Sequence, residues 1–234
     1  MTDPLPAPPA RFIAGPDPDA DPDLAEVVWF EIDGLTVGLR PIHPEDKSEL
    51  LEGFMEMSDR SRYQRFLTPT DRLTSRQVTY LTDLDQVNHF AWVAGHLHDG
   101  GLHGLGVARY VRGADGSGDA ELAVAVTDEA QGRGLGTLLV DALVAVAAAR
   151  GIPRIFGLVL AGNDAMLRIF RAIGAEFGHE DVDVVRATAG LPAPTRLTAE
   201  AIACLVDVAE RAARQARSTG ADGGDQAGGG GGGH

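Results

Sequence analysis

Cysteine is almost absent from this chain. The 234 residues hold one, Cys204, so no internal disulfide can form, which fits a reducing cytoplasm. Lysine is as scarce: of 20 basic residues only Lys47 is a lysine, read here as compositional bias. Set against 34 acidic residues, this leaves a net charge of −14. That balance argues against nucleic acid or an anionic membrane as partner and is compatible with a basic substrate. No apolar run reaches the roughly 18 residues of a membrane span. The opening Met-Thr-Asp-Pro-Leu-Pro lacks the basic and apolar regions of a signal peptide. His96, His98 and His103 fall close together, but no carboxylate or cysteine stands at a ligand spacing from them, so no metal site is expected.

What is present is enough for a packed core. Hydrophobic residues make up 44%, and the length suits one domain with tails. Residues 1–26 are rich in Pro, Ala and Asp and are expected to be a disordered acidic tail. The domain is expected over residues 27–190, a C-terminal helix within 191–217, and a disordered glycine tail over 218–234. Asp33-Gly34 predicts a hairpin turn between two short strands. Pro44, Glu45 and Asp46 then open a helix with Leu50, Leu51, Phe54 and Met57 on its inner side. A second helical piece follows over 58–67. Its Arg60, Arg62 and Arg65 read as a solvated face, with a phosphate contact as the alternative. Thr74-Ser-Arg-Gln is a capping box that starts a third helix.

The chain is organised around residues 120–150. Residues 120–127 alternate as a strand: Leu122, Val124 and Val126 on one face, and Glu121, Ala123, Ala125 and Thr127 on the other. Gln131 to Gly136 turns this strand into an almost wholly apolar helix from about Thr137 to Ala149, with Asp141 its only charge. A strand running through glycines into a helix is an anion site, because the first helical N–H groups have no intrahelical partner. Gly132, Gly134 and Gly136 let a phosphate approach, and Arg133 adds a cation. A Walker loop is excluded, since no lysine follows Gly136, and the spacing Gly-x-Gly-x-Gly is not the dinucleotide fingerprint. Another strand over 154–161 should run parallel to the first. Asn163 then caps a helix that Gly174 ends.

The text from Gln131 to Gly136 resembles the Gln/Arg-x-x-Gly-x-Gly/Ala loop of the GCN5-related N-acetyltransferases. Asn163, Met166, Ile169, Phe170 and Gly174 fall on that family's Asn-x-x-Ala-x-x-Leu-Tyr-x-x-x-Gly pattern, and the order of elements is similar across 35–188. Three further stretches look like the catalytic domain of bacterial Pat-type protein lysine acetyltransferases. They are the Leu-Arg-Pro-Ile-x-Pro-Glu-Asp text at 39–46, the run at 58–66, and Ala-Glu-Leu-Ala at 120–123. The resemblance implies an α/β fold in which helices flank a mixed, mostly antiparallel sheet with a splayed parallel strand pair. It implies acetyl-CoA as acyl donor. The pantetheine arm would pair with Ala123, Val124, Ala125 and Val126 and meet Asn163. The pyrophosphate would sit on Gln131, Gly132, Arg133, Gly134, Leu135, Gly136 and Thr137.

Glu121 is the candidate general base. A lysine ammonium, with a pKa of about 10.4, must lose a proton before it can attack, and a carboxylate in a cleft can take it. The acceptor implied is a protein lysine, for example on an acyl-CoA synthetase. A small amine, or a non-catalytic acyl-CoA sensor, are the alternatives. One departure stands out. Phe170 occupies the place of the family's tyrosine, whose hydroxyl protonates the leaving thiolate. Tyr63, Tyr80 and Tyr110 remain as unassigned candidates for that role.

Overall fold

The computed structural model describes residues 10–15, 24, 26–98 and 101–222, with 98, 101 and 219–222 as backbone only. The disorder expected at 1–9, 16–23 and 223–234 lies outside the described residues.

Among the described residues one nine-stranded sheet carries the fold. Asp33 and Gly34 both take positive φ (50° and 73°), the geometry of a tight hairpin turn, and join β2 (Val28–Ile32) to β3 (Leu35–Pro41). Three helices follow: α1 (Lys47–Glu56), α2 (Asp59–Phe66) and α3 (Ser75–Thr82). Then come the hairpin β4 (His89–His98) and β5 (Gly101–Arg112), β6 (Ala120–Val126), α4 (Leu135–Ala149), β7 (Arg154–Leu160) and α5 (Asp164–Ala172). The hairpin β8 (Glu176–Asp181) and β9 (Val184–Gly190) and the helix α6 (Ala199–Asp222) complete the fold. With β1 (Arg11–Ile13) at one edge, the strands lie in the order β1-β2-β3-β4-β5-β6-β7-β9-β8. Every neighbouring pair is antiparallel except β6 and β7.

The sheet is covered on both faces, and the pleat sorts the residues between them. Phe90, Trp92, Ala108, Tyr110 and Leu122 join Leu138, Leu139 and Leu143 of α4 in the main core. The alternate positions face α1–α3, where Ile42, Leu84 and Ala91 form a second cluster with Val93 and Val107 against it. His96 and His103 pair across the β4–β5 hairpin with ring centroids 5.3 Å apart.

Four expectations are corrected. The first is the tail before residue 27, which was expected to lack structure throughout. Arg11–Ile13 instead pair with β2. Phe12 meets Phe30 edge to face at 5.9 Å and Arg11 bonds Glu31 at 2.7 Å, so the open edge of β2 recruits the strand. The second is the start of α1, which begins at Lys47 rather than Pro44. The Asp46 carboxylate is held by both Arg40 Nη atoms and the His43 N–H, each at 2.7 Å, which fixes 43–46 as a turn. Leu51 on that helix is 39% exposed, whereas Phe54 and Met57 are buried. The third is α4, which starts two residues earlier than expected because Gly134 (φ 94°) already serves as its N-cap. The last is the C-terminal end: α6 runs to Asp222, into the stretch from 218 that was expected to be a disordered tail, because the helical ladder continues past Arg217. Its buried face runs through Ala201, Leu205, Val208, Ala209 and Ala212, while Ile202 and Val206 are half-buried. The alanines let the helix approach α4 closely, and α4 is apolar on that side too.

Asp141 is the exception on α4. It is buried at 4% exposure, its carboxylate accepts the Arg196 N–H at 3.2 Å, and burial pushes its pKa up to about 6. An unfolded Asp titrates near ~3.9. Between those values the folded chain binds more protons than the unfolded one, so stability falls as pH rises through that window. Asp141→Asn is therefore expected to raise stability above pH 6 by about 1–2 kcal/mol, a gain that vanishes near about pH 4. Thermal melts at the two ends of the window check this. No gain at neutral pH would mean that the Arg196 N–H compensates the burial.

Candidate active site

The parallel pair creates the site. β6 and β7 are registered only at Ala120↔Ile155 and Glu121↔Phe156, and beyond Glu121 they part. Gly157 sits at the root of the fork. A Cβ there would lie 2.5 Å from the Phe170 ring and 3.2 Å from the Leu122 carbonyl oxygen, so only glycine lets the ring seat against β7. Phe170 is fully buried. The open fork, with α4 and α5, bounds a cleft of about 970 Å³.

Ladder parity decides which backbone groups face the cleft. On the other side β6 pairs with β5, where Val107 stands opposite Ala125 and Arg109 opposite Ala123. The Thr127 N–H bonds the Leu105 carbonyl. In an antiparallel pair alternate residues turn their N–H and C=O toward the partner. Ala123 and Ala125 thus give their backbone groups to β5, which corrects their expected role as partners of an extended ligand. The groups that face the fork belong to Leu122, Val124 and Val126. The Val126 carbonyl is taken by Gln131 Nε2 at 3.2 Å. Val124 keeps both its N–H and its C=O for the cleft, and Val126 its N–H.

The glycine loop closes one end. α4 makes its first backbone bond from the Leu138 N–H to the Gly134 carbonyl. The N–H groups of Leu135, Gly136 and Thr137 are left without helical partners, a concentration of partial positive charge. Gln131, Gly132, Gly134, Gly136 and Thr137 line the cleft. Two loop residues do not act through their side chains as expected. Leu135 is core at 3% exposure and offers only its N–H. Arg133 lies against Asp33 of the β2–β3 turn at 3.9 Å. Gln131 acts as a strut: its Nε2 lies 3.1 Å from Ser61 Oγ and 3.0 Å from Asp128 Oδ1. Asn163 lines the cleft, but its Oδ1 caps α5 through the Met166 N–H at 3.1 Å, leaving its amide nitrogen for a ligand.

Glu121 lies on the α1–α3 face of the sheet, in one row with Val111 and His89. Its side chain is exposed and lines the cleft, with Ala123 and Ala125 further along the same face. Two cations gather on this face that the sequence did not place there. Arg65, expected to be solvated, lines the cleft beside Glu121. Burial lowers its pKa and the Glu121 carboxylate opposes that shift. Arg109 sits one row along and is 4% exposed. Its Nη1 lies 3.1 Å from His89 Nε2 and its Nη2 donates to the Leu81 carbonyl at 3.2 Å. Burial brings its pKa down to about 9. Burial first and Arg109 second bring His89 down to about 4, so it is neutral at physiological pH. Arg62 is taken up by Asp59 and by the Phe54 ring. The available signal was in β5: Arg109 is a charge at a position where its neighbours Val107 and Val111 are apolar. Nothing comparable marks Arg65, because α2 is polar all round.

A latch joins this face to the loop. Asp128 accepts from the Ser58 N–H at 3.2 Å and from the Ser61 hydroxyl at 2.6 Å. These bonds, Ser61 foremost, hold its carboxyl below the usual range. No tyrosine among the described residues lines the cleft. Tyr110 donates its hydroxyl proton to the Val87 carbonyl and accepts from Arg150, while Tyr63 and Tyr80 are exposed.

Residues 36–176 match the family model of the acetyltransferase (GNAT) domain. The chain is 36% identical to acetyltransferase Pat of Mycolicibacterium smegmatis over 155 residues, which are 66% of this chain and 45% of that protein. It is 31% identical to acetyltransferase PA5475 of Pseudomonas aeruginosa over 157 residues, 66% of this chain and 83% of that one. The crystal structure of the GNAT domain of S. lividans PAT superposes with a TM-score of 0.64 at 31% identity, covering 71% of this chain and 97% of that one. The chain thus spans less than half the length of the Mycolicibacterium relative.

Proposed function

From a chain that belongs to the acetyltransferase (GNAT) family, we infer an N-acetyltransferase that uses acetyl-CoA and acts on a protein lysine, with Glu121 as general base. The observation that carries this reading is the fork after Glu121↔Phe156. It brings an unpaired strand edge, a helix N-terminus and a carboxylate into one cleft.

The cleft suits such a donor. The Val124 N–H and C=O offer an extended amide chain the pairing that a strand would. The Leu135, Gly136 and Thr137 N–H groups suit a pyrophosphate, and Arg168 and Arg196 on the wall of the cleft add cations. The donor supplies a thioester carbonyl, which a strand N–H polarises. Glu121 approaches from the opposite face and takes the proton of the attacking amine, so that N–C forms as C–S breaks. Phe170 offers no proton, and its seat on Gly157 gives it a packing role. The thiolate leaves as the anion or takes its proton from water.

Release of free thiol from acetyl-CoA tests the reading, with acyl-CoA synthetases and small amines compared as acceptors. Transfer to a synthetase lysine is the expected result. Turnover with small amines alone would replace the protein acceptor. Tight acetyl-CoA binding without turnover would make the protein a sensor.

A further inference from the structure

Two arginines come together on the α1–α3 face, one of them beside Glu121. The Arg65 guanidinium faces the Glu121 carboxylate, and the Arg109 guanidinium lies next to Arg65, on the row opposite Ala123. Asp85 is the other carboxylate nearby. Its oxygens are already taken by the Val87, Asn88 and His89 N–H groups and the Asn88 amide. His89 is neutral, and Tyr80, stacked on it at 4.9 Å, is half exposed. Neither arginine has an anion bonded to it among the described residues. Arg109 has neutral partners, and its Nε is buried with no partner. Arg65 has no hydrogen bond or ion pair with any described residue; it rests on the Phe66 ring at 5.0 Å and keeps part of its surface in the cleft. With Glu121 and Asp85 the cluster is neutral in sum; what is left over is hydrogen-bonding capacity, because none of the described residues uses the Arg65 guanidinium donors at the wall of the open cleft.

These free donors are placed at the acceptor end. Along α2, Ser61 meets Asp128 and Gln131 at the loop. Arg65, one turn on, lies on the same face of the helix and toward Glu121. Glu121 is five strand residues, about 17 Å, from the loop end of β6. Arg65 is therefore remote from where a pyrophosphate would bind and adjacent to where an amine must lose its proton.

We propose that the acceptor brings an anion with its amine: Arg65 binds the carboxylate of an Asp or Glu flanking the acceptor lysine while Glu121 faces the lysine amine. Arg109, too deep to touch the acceptor, adds its charge from below. The proposal rests on the reading of Glu121 as the base of an N-acetyltransferase. A single charge-assisted hydrogen bond supplies about a tenfold preference.

The test compares paired peptides, identical except that the residues flanking one lysine are Asp/Glu or Asn/Gln, with the purified chain and acetyl-CoA. The acidic-flanked peptide is expected to have a kcat/KM about tenfold higher, mostly through KM. In Arg65→Gln the ratio between the peptides should fall to near one. In Arg65→Glu it should invert in favour of the Asn/Gln-flanked peptide, and Arg65→Lys should keep part of it. Equal use of both peptides by the unaltered protein overturns the proposal without any variant, as does a ratio that Arg65→Gln leaves intact. Glu121→Gln should silence every peptide alike, which separates failure of the base from failure of the anion site. If no peptide is acetylated, the protein-lysine reading falls. Free lysine against cadaverine, which lacks the carboxylate, then decides the anion site: a preference for lysine keeps it and no preference ends it.

Discussion

Glu121→Gln is expected to lower acetyl transfer by about 10²–10⁴-fold, the usual contribution of a positioned general base, while acetyl-CoA still binds. The side chain is nearly isosteric, so the loss is of the proton acceptor alone. Binding should persist because the groups offered to the donor lie elsewhere. They are the Val124 backbone at the fork and the Leu135–Thr137 N–H groups at the end of α4. The substitution also removes the carboxylate that faces Arg65. A thermal melt must therefore accompany the kinetics, and Glu121→Asp, which keeps the charge with a shorter reach, is the companion variant. Single-turnover transfer and calorimetric binding give the two readouts. Unchanged turnover would remove Glu121 from the chemistry and leave a solvent-facing carboxylate on a half-open strand.

Arg150→Ala is expected to loosen the C-terminal helix from the domain. Arg150 follows α4, its side chain is 8% exposed, and it is bound on every side. Nε donates to Glu210 at 3.0 Å, Nη1 to the Tyr110 hydroxyl at 2.7 Å and Nη2 to the Ala209 carbonyl at 2.9 Å. The guanidinium also lies 4.8 Å from the centre of the Phe90 ring. Truncation leaves the buried Tyr110 hydroxyl short of a donor, while Glu210, 40% exposed, turns to water; a buried group left unpaired costs about 1–3 kcal/mol. For a domain of this size that is roughly 2–12 °C in Tm. The loss should appear first as faster proteolysis of α6, because Glu210 and Ala209 belong to that helix. An unchanged melt with α6 still protected would show that Leu205 and its alanine neighbours dock the helix without the arginine.

These expectations also show how much the chain discloses before it folds. The strand–loop–helix unit was legible because its signals are local. Alternation marks β6, glycines at 132, 134 and 136 mark the loop, and an unbroken apolar run marks α4. Asn163 was legible as a cap for the same reason. The surroundings of Glu121 were not. Arg65 and Arg109 are 44 positions apart, and what unites them is the register Arg109↔Ala123 beside Val111↔Glu121 together with the packing of α2 over β6. The Ser61–Asp128 bond spans 67 positions, and no periodicity announces it.

The sequence by itself disclosed the strand, the glycine loop and the helix after it, because each depends on neighbours within one turn or one strand, while the class of fold came from the resemblance carried by that loop and by the Asn163–Gly174 stretch. Tertiary structure decided the rest. Ladder parity selected Val124 over Ala123 and Ala125 as the residue with free backbone groups, since only the partner strand determines which N–H groups are already bonded. It turned Gln131 from a ligand into a strut and Leu135 from a contact into core. It also brought Arg65 to the side of Glu121, because charge that looks solvated on an isolated helix becomes part of a site once that helix is laid against the sheet.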